Sequence, residues 1–249
     1  MTVSRSDFPG RTPGSRRGQA GSIYQDGTYA EKNPTWDEED SAWKSRHILR
    51  VIETHGLSLR TICEVGCGAG EILNQLHGLL PEPVEFTGYE ISPQIFPTCK
   101  MKEKAGLKFV LGNFLDIDKR HYDLLLAIDV LEHVEDCYGF LRRLQPRATY
   151  KIFHIPLDLA AWKILGGYLM TKREQYGHIH YFTRETALAM LKDVGYEIVD
   201  SFYTGHYHGS RRRSVRTRLV DSIRGALYLL HPDLSARLLG GLSLMVLAK

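Results

Sequence analysis

Three glycines spaced by single residues, Gly66, Gly68 and Gly70, follow a short apolar strand pattern at 61–65. A helical pattern begins directly after them, with its isoleucine and leucine positions between 72 and 80 on one side. Glycine has no Cβ, so the backbone of such a turn can approach a ligand closely, and the helix N-terminus adds free N–H groups. Taken alone, the pattern is equally compatible with a tight strand-to-helix turn that binds nothing.

An acidic residue at the end of the next strand pattern favours a ligand. Glu90 follows the run 84–89 and stands twenty positions beyond Gly70. A carboxylate at the tip of the second strand can accept hydrogen bonds from both hydroxyls of a ribose. The glycines do not follow the G-x-G-x-x-G spacing of dinucleotide sites, so a dinucleotide is the weaker interpretation.

A second chemical cluster ends the apolar run 122–130, which is typical of a central parallel strand buried on both faces. Asp129, Glu132 and His133 stand at its carboxyl end, where open α/β sheets bind ligands. Glu132 and His133 are suited to holding the start of the next helix. His133 is alternatively suited to removing a proton from a hydroxyl or amine.

Three further histidines are expected near the same edge of the sheet. His154 lies near the end of the predicted fifth strand at 150–157, and His178 and His180 precede the predicted helix 184–194. A lone histidine is usually structural, but three in this quarter of the chain are equally suited to catalysis or to lining an acceptor pocket.

The glycine stretch, E-V-G-C-G-A-G followed by G-Y-E, resembles motif I and the ribose carboxylate of class I S-adenosylmethionine-dependent methyltransferases. The stretch D-V-L-E-H-V resembles the fourth-strand motif of the same class. The resemblance implies S-adenosylmethionine as cofactor. From their place at the expected edge of the sheet, we predict His133, His154 and His178 as catalytic residues. The cofactor-binding residues that the resemblance implies are Lys44, Glu64, Gly66, Gly68, Gly70, Glu90, Ile91, Asn113, Phe114, Ile128 and Asp129.

Some of these positions carry a more specific expectation from the resemblance. Asn113 stands where the class usually has an aspartate that meets the adenine amine, and Phe114 is expected to contact the adenine face. A basic residue before the sheet commonly meets the carboxylate of the cofactor, and Lys44 and Arg46 are the candidates.

Asp129, Glu132 and His133 also resemble clusters that hold a divalent cation in ubiquinone-pathway O-methyltransferases and in small-RNA 3′-end methyltransferases. The first position is an aspartate here, shorter by one methylene, and many metal-free relatives share the Glu-His pair. We therefore predict no metal among these three residues.

The alternation of strand and helix patterns predicts an α/β fold, a Rossmann-like, doubly wound sheet of seven strands that is mostly parallel with an antiparallel last strand. Residues 1–22 are predicted to form a disordered basic tail and residues 23–60 an N-terminal helical cap with aromatics over a pocket. Residues 61–249 form the predicted methyltransferase domain, with insertions at about 159–183 and 206–240. The second insertion is rich in arginine between 211 and 218 and then amphipathic, so it fits a cap helix, with peripheral membrane contact as the alternative.

Composition limits the partners. The 249 residues carry a formal net charge of +3, so bulk charge does not demand nucleic acid. No run of eighteen apolar residues and no N-terminal apolar segment is present, and the four cysteines follow no zinc spacing, so we expect a reduced, cytoplasmic protein.

We predict methyl transfer to oxygen or nitrogen of a small-molecule acceptor, such as a sugar or specialised metabolite. An RNA methyltransferase and a non-catalytic binding protein with the same fold are the alternatives, and the oligomeric state is unknown.

Overall fold

The computed structural model describes residues 22–81, 83–205 and 215–249. The predicted basic tail and the first part of the predicted arginine-rich insertion therefore lie outside the described residues, apart from position 22 and the helix that begins at 215. The strands are β1 (Thr61–Val65), β2 (Glu85–Glu90), β3 (Leu107–Leu111), β4 (Tyr122–Ile128), β5 (Ala148–Pro156), β6 (Ile198–Gly205) and β7 (Leu242–Ala248).

Helices alternate with these strands, and several short ones are added at the ends and in the insertions. The helices are α1 (Ser22–Gln25), α2 (Thr28–Lys32), α3 (Ser41–Thr54), α4 (Glu71–Leu79), α5 (Phe96–Lys100), α6 (Phe114–Ile117), α7 (Cys137–Leu144), α8 (Ala161–Leu165), α9 (Tyr168–Tyr176), α10 (Arg184–Asp193), α11 (Val215–Leu230) and α12 (Pro232–Leu239). Single 3-10 turns cover Glu38–Asp40, Leu131–His133 and Gln145–Arg147.

The seven strands form one sheet in the order β3-β2-β1-β4-β5-β7-β6. All neighbours are parallel except β7, which runs antiparallel to both β5 and β6. This confirms the predicted fold. The chain leaves β1 toward β2 and β3 and returns to the other side of β1 as β4, so the switch point of the sheet lies between β1 and β4, where such sheets bind ligands.

Two apolar cores, one on each face, hold the sheet between helices. On one face α3 and α4 contribute Ile48 and Leu73, which pack with Ile62 of β1. On the other face α7 and α10 contribute Leu141 and Leu191 to the core that contains Cys63. The alternating orientation of side chains along β1 thus serves both cores, as a doubly wound sheet requires.

Two glycines divide the helical part of the first insertion. The chain forms α8 and α9 with Gly166 and Gly167 between them. Gly167 has a left-handed backbone, with φ of 69°, which ends the first helix and caps the second. The second insertion also contains a helix that we did not predict, α12, with Pro232 in its first turn.

The four cysteines are buried, and none forms a disulfide bond. No helix in the described ranges 22–81, 83–205 and 215–249 is long and apolar enough to cross a lipid bilayer.

The close packing of β2 against the glycine turn gives a test with a matched control. A Cβ on Gly88 would lie 2.5 Å from the Phe109 ring and 2.8 Å from the Cys67 Sγ, so Gly88→Ala should destabilise the fold by about 1–3 kcal/mol. A Cβ on Gly78, exposed near the end of α4, would meet nothing within 4 Å, so Gly78→Ala should stabilise the fold by about 0.5–1 kcal/mol. Urea unfolding measures both. Equal effects of the two substitutions would contradict this account of the turn.

Candidate active site

A cavity of about 810 Å³ opens at the carboxyl ends of β1, β2 and β4. It extends from the glycine turn after β1 to His133 and His178, under the aromatic side chains of Tyr24, Tyr29 and Trp36. Its volume lies in the upper part of the range of roughly 300–1,000 Å³ that small-molecule sites occupy.

The lining of this cavity is strongly acidic. It contains nine carboxylate side chains and two lysines, namely Asp37, Asp40, Glu64, Glu71, Glu90, Asp129, Glu132, Glu135 and Asp136 with Lys44 and Lys172. A concave, partly desolvated surface with this excess of acidic groups favours a cationic ligand.

Glu90 is fixed at the glycine turn by main-chain amides. The N–H of Gly68 donates to Glu90 Oε2 and the N–H of Ser92 donates to Oε1, each at 2.8 Å. Burial raises the pKa of Glu90, and these backbone N–H groups partly offset the effect. Gly66 and Gly68 have left-handed backbones, with φ of 73° and 52°, which L side chains rarely adopt. The carboxylate is therefore preoriented beside a turn whose backbone a ligand can approach.

Glu64 reaches the same cavity from β1 and has an unsatisfied oxygen. Its side chain is 1% exposed, and its Oε2 has no hydrogen-bond partner. Burial raises the pKa of Glu64 well above its usual value, and the nearby Lys44 only partly opposes this. A buried acceptor without a donor is costly, so a ligand that donates to it would be stabilised.

Asp129 is the centre of a chain of polar contacts at the end of β4. Its Oδ2 lies 2.8 Å from Lys44 Nζ, and its Oδ1 lies 2.6 Å from His154 Nδ1. The other ring nitrogen of His154 lies 2.9 Å from Thr204 Oγ1. Burial lowers the pKa of Lys44, but the nearby carboxylates, Asp129 foremost, raise it above its usual value. The pair is thus ionised and joins α3 to the sheet.

Three residues other than glycine have left-handed backbones in the described part of the chain, and all three line the cavity. They are Trp36, Asp37 and Asp129, with φ of 51°, 51° and 54°. Such conformations cost free energy in residues with a Cβ, and they concentrate at functional sites. Their coincidence supports this cavity as the active site.

The far end of the cavity combines two histidines with a buried carboxylate. The ring centroids of His133 and His178 lie 4.9 Å apart, and Glu132 Oε1 lies 3.7 Å from His133 Nε2. The Nδ1 of His178 lies 2.8 Å from Asp158 Oδ2. The pKa of His133 is lowered to about 3, mainly by burial and to a smaller extent by the nearby His178. His133 is therefore neutral at physiological pH and a weak base in the protein alone.

Most residues predicted for the site line this cavity, but Gly70 and His154 do not. Gly70 is the N-cap of α4, and a Cβ there would lie 2.6 Å from the Phe109 ring, so a glycine is needed for the turn to pack on that ring. His154 is 1% exposed, and its ring nitrogens lie against Asp129 and Thr204, so its side chain is placed beneath the cavity. Its predicted catalytic role stays a prediction. Of the two basic candidates, Lys44 is buried at the cavity and Arg46 is exposed.

The side chains of Asn113 and Phe114 are used structurally, although both residues border the cavity. Asn113 caps α6 by accepting a hydrogen bond from the N–H of Leu115. Phe114 is 1% exposed and packs against Tyr89, with the Arg147 guanidinium 4.9 Å above its ring. The expected contacts with an adenine remain predictions.

Sequence reasoning missed two residues at the far end of the cavity. Tyr176 lines it from the end of α9, and Asp158 orients His178 from beneath. Asp158 follows β5 by two positions, so a carboxylate at the carboxyl end of a strand was the available signal. Tyr176 follows no strand and belongs to no motif.

The Lys44–Asp129 pair predicts a pH-dependent stability. Asp129→Asn keeps a residue that tolerates left-handed backbone but leaves Lys44 without its partner, so we expect a loss of about 1–3 kcal/mol in the free energy of unfolding at neutral pH. Burial raises the pKa of Asp129, but His154 and Lys44 outweigh it and hold that pKa well below its usual value. The stabilisation is therefore present above the unfolded-state pKa of about 4 and is lost as the pH falls toward the lower folded-state pKa.

Denaturant unfolding of wild type and variant at several pH values measures this difference. It should stay constant from neutral pH to about pH 4 and shrink below it. The control is Asp116→Asn, which removes a carboxylate that is 59% exposed and should cost at most about 0.5 kcal/mol at any pH. A variant as stable as wild type at neutral pH would refute the contribution of the pair.

Solved structures of methyltransferases share this fold. Magnesium protoporphyrin IX methyltransferase from Synechocystis, with bound S-adenosylhomocysteine, is similar with a TM-score of 0.62 and 16% identity, over 92% of this chain and 99% of that chain. An S-adenosylmethionine-dependent methyltransferase from Archaeoglobus fulgidus has a TM-score of 0.56 and 16% identity, over 84% and 94%. The N-methyltransferase NodS from Bradyrhizobium japonicum, also with S-adenosylhomocysteine, has a TM-score of 0.53 and 14% identity, over 82% and 84%.

Comparison of the sequence with curated proteins gives no match. The family model described as "Methyltransferase domain" matches residues 36–201, well over half of the chain, and spans both the glycine turn and the polar end of β4. The chain therefore belongs to the methyltransferase-domain family and is a class I S-adenosylmethionine-dependent methyltransferase.

Proposed function

We propose that the protein transfers the methyl group to an oxygen or nitrogen atom of a small-molecule acceptor, bound at the His133 and His178 end of the cavity. The observation that carries this proposal is the roof over the cavity, formed by residues 22–36. The roof leaves a small-molecule volume beneath it, whereas a macromolecular acceptor would need an open groove.

The roof is attached on two sides. On one side Lys32 Nζ donates to the Glu174 carbonyl at 2.6 Å, and Asn33 Nδ2 donates to the Gln175 carbonyl at 3.1 Å, which joins the roof to α9. On the other side Gln94 Nε2 donates to the Gln25 carbonyl at 2.9 Å. Aromatic packing closes the centre, where the rings of Tyr29 and Trp36 lie 4.7 Å apart.

The residues around the glycine turn fit S-adenosylmethionine. In the proposed arrangement Glu90 accepts the ribose hydroxyls, Gly66 and Gly68 allow close approach of the backbone, and the unpaired Glu64 oxygen accepts from the ammonium group. The excess of carboxylates in the lining matches the positive charges of the sulfonium and ammonium.

When bound, the cofactor supplies a methyl group activated by positive charge, which the acceptor lone pair takes as the carbon–sulfur electrons return to sulfur and the acceptor proton is released. The protein then has mainly to place the acceptor and exclude water. Tyr24, His133 and His178 border the acceptor end, and the neutral His133 imidazole can accept a hydrogen bond from a hydroxyl or amine. Catalytic roles of His133 and His178 remain part of the proposal.

Transfer of an isotopically labelled methyl group tests the acceptor class. The full chain and labelled S-adenosylmethionine are incubated in three separate reactions, with the small-molecule, the RNA or the protein fraction of a cell extract. We expect label in the small-molecule fraction, accompanied by acceptor-dependent release of S-adenosylhomocysteine. Label in RNA or protein alone would contradict the proposal, because the roofed cavity would then not be the limit on acceptor size.

The assignment of Glu90 to the ribose gives a second test. Glu90→Ala removes the carboxylate that accepts hydrogen bonds from the two ribose hydroxyls. We therefore expect S-adenosylmethionine binding to weaken by about 1.5–3 kcal/mol in calorimetry. The matched control is Glu85→Ala, at the exposed opposite end of the same strand, which should leave the affinity unchanged. Unchanged affinity in Glu90→Ala would remove Glu90 from the cofactor site.

A further inference from the structure

Three side chains at the acceptor end of the cavity are arranged as a potential metal-binding site. Glu132, His133 and His178 each offer one ligand atom, and these atoms all lie within 4.8 Å of one another. They come from two separate parts of the chain, the 3-10 turn after β4 and the segment after α9. All three side chains line the cavity, so an ion bound here would face the acceptor.

The second nitrogen of each imidazole is already held by an oxygen. His178 Nδ1 lies 2.8 Å from Asp158 Oδ2, and His133 Nδ1 lies 3.3 Å from the Gly177 carbonyl. These contacts fix the ring orientations and favour the tautomers in which Nε2 has a free lone pair. Metal-binding histidines are typically oriented in this way, by a carboxylate or a carbonyl at the other ring nitrogen.

Glu132 supplies an independent observation. Its side chain is 1% exposed, and its Oε2 has no hydrogen-bond partner. A carboxylate oxygen buried without a donor or a cation is destabilising. The main-chain oxygen of Glu132 accepts from the N–H groups of Ile179 and His180, at 2.8 and 3.1 Å, so the residue is also fixed against the segment that carries His178.

Asp129 does not belong to this group. Its two carboxylate oxygens are engaged by Lys44 and His154. The grouping that we considered from sequence, Asp129 with Glu132 and His133, is therefore replaced by one in which His178 supplies the third ligand. That exchange changes the chemistry from two carboxylates and one imidazole to one carboxylate and two imidazoles.

We propose that Glu132, His133 and His178 bind a divalent transition-metal ion that holds the acceptor. Two imidazoles with one carboxylate suit Zn²⁺, Mn²⁺, Fe²⁺ or Co²⁺ better than Mg²⁺ or Ca²⁺, which prefer oxygen ligands. Three protein ligands leave coordination positions open toward the cavity.

The role of the ion rests on the proposed function. An acceptor hydroxyl bound to the ion would lose its proton to solvent more readily, since coordination lowers the pKa of a bound oxygen. The acceptor would therefore be a hydroxyl compound, with its oxygen fixed at one end of the cavity and the cofactor at the other.

Titration of the metal-free full chain with Co²⁺, in the absence of cofactor and acceptor, tests the site. We expect one equivalent to bind, with visible absorption bands characteristic of nitrogen and oxygen coordination. Asp158→Asn should weaken Co²⁺ binding by about 10–100-fold because it releases the His178 ring, and His178→Ala and Glu132→Gln should weaken it at least as much. The matched control is His121→Ala, an exposed histidine that contacts Pro146 and Thr149 and should leave Co²⁺ binding unchanged.

Calorimetry with S-adenosylhomocysteine on the same proteins separates this inference from the proposed function and shows that each variant is folded. We expect the variants at Asp158, His178 and Glu132 to bind it like wild type while losing Co²⁺. Wild type that binds S-adenosylhomocysteine but no Co²⁺ would overturn the metal site and leave methyl transfer intact. Co²⁺ binding that survives in the cluster variants would overturn it as well, because the ion would then lie elsewhere.

Discussion

The contacts of one aspartate join the parts of this protein that must act together. Asp129 ends β4 with a left-handed backbone, and its N–H donates to the carbonyl of His154 on the neighbouring strand. Its carboxylate then links Lys44 of α3 to His154, which in turn contacts Thr204 on β6. A charged pair in a site of this kind is costly to desolvate and is retained only with good geometry and further hydrogen bonds, and both are present here. Helix α3 is thus held to the sheet by a contact made at the cavity itself.

The same arrangement explains how so many acidic groups share one cavity. Buried carboxylates repel one another, and burial raises the pKa of Glu64, Glu90 and Glu132. Asp129 remains ionised because Lys44 and His154 are beside it, whereas Glu64 and Glu132 each keep an unpaired oxygen. The fold therefore tolerates local instability at the two places where a ligand would contribute a positive charge or a donor. A cationic cofactor at one end and a metal cation at the other would each offset that cost.

The meeting of the glycine turn and Glu90 at one cavity could be predicted from sequence because its determinants are local. The glycine turn must connect β1 directly to α4, and Glu90 must end the next strand, so spacing alone brings them together. The same alternation of strands and helices predicted the mostly parallel, doubly wound sheet that the structure has. His154 shows the limit of this reasoning. Its position near a strand end was correct, but in the structure its ring lies below the cavity, between Asp129 and Thr204, because side chains alternate along a strand.

The acceptor half depends on contacts between distant segments, which no motif encodes. His178 is held at the cavity because the N–H groups of the next two residues donate to the carbonyl of Glu132. Glu132 stands 46 positions before His178 in the chain. Asp158, from a third segment, sets the orientation of its ring. These partners are anchored at the end of β4, so the proposed acceptor site is built beside the same strand end that Asp129 follows. The short stretch 129–133 carries both the partner of Lys44 and two members of the Glu132, His133 and His178 cluster. A displacement of that strand end would therefore disturb the contact with α3 and the cluster together.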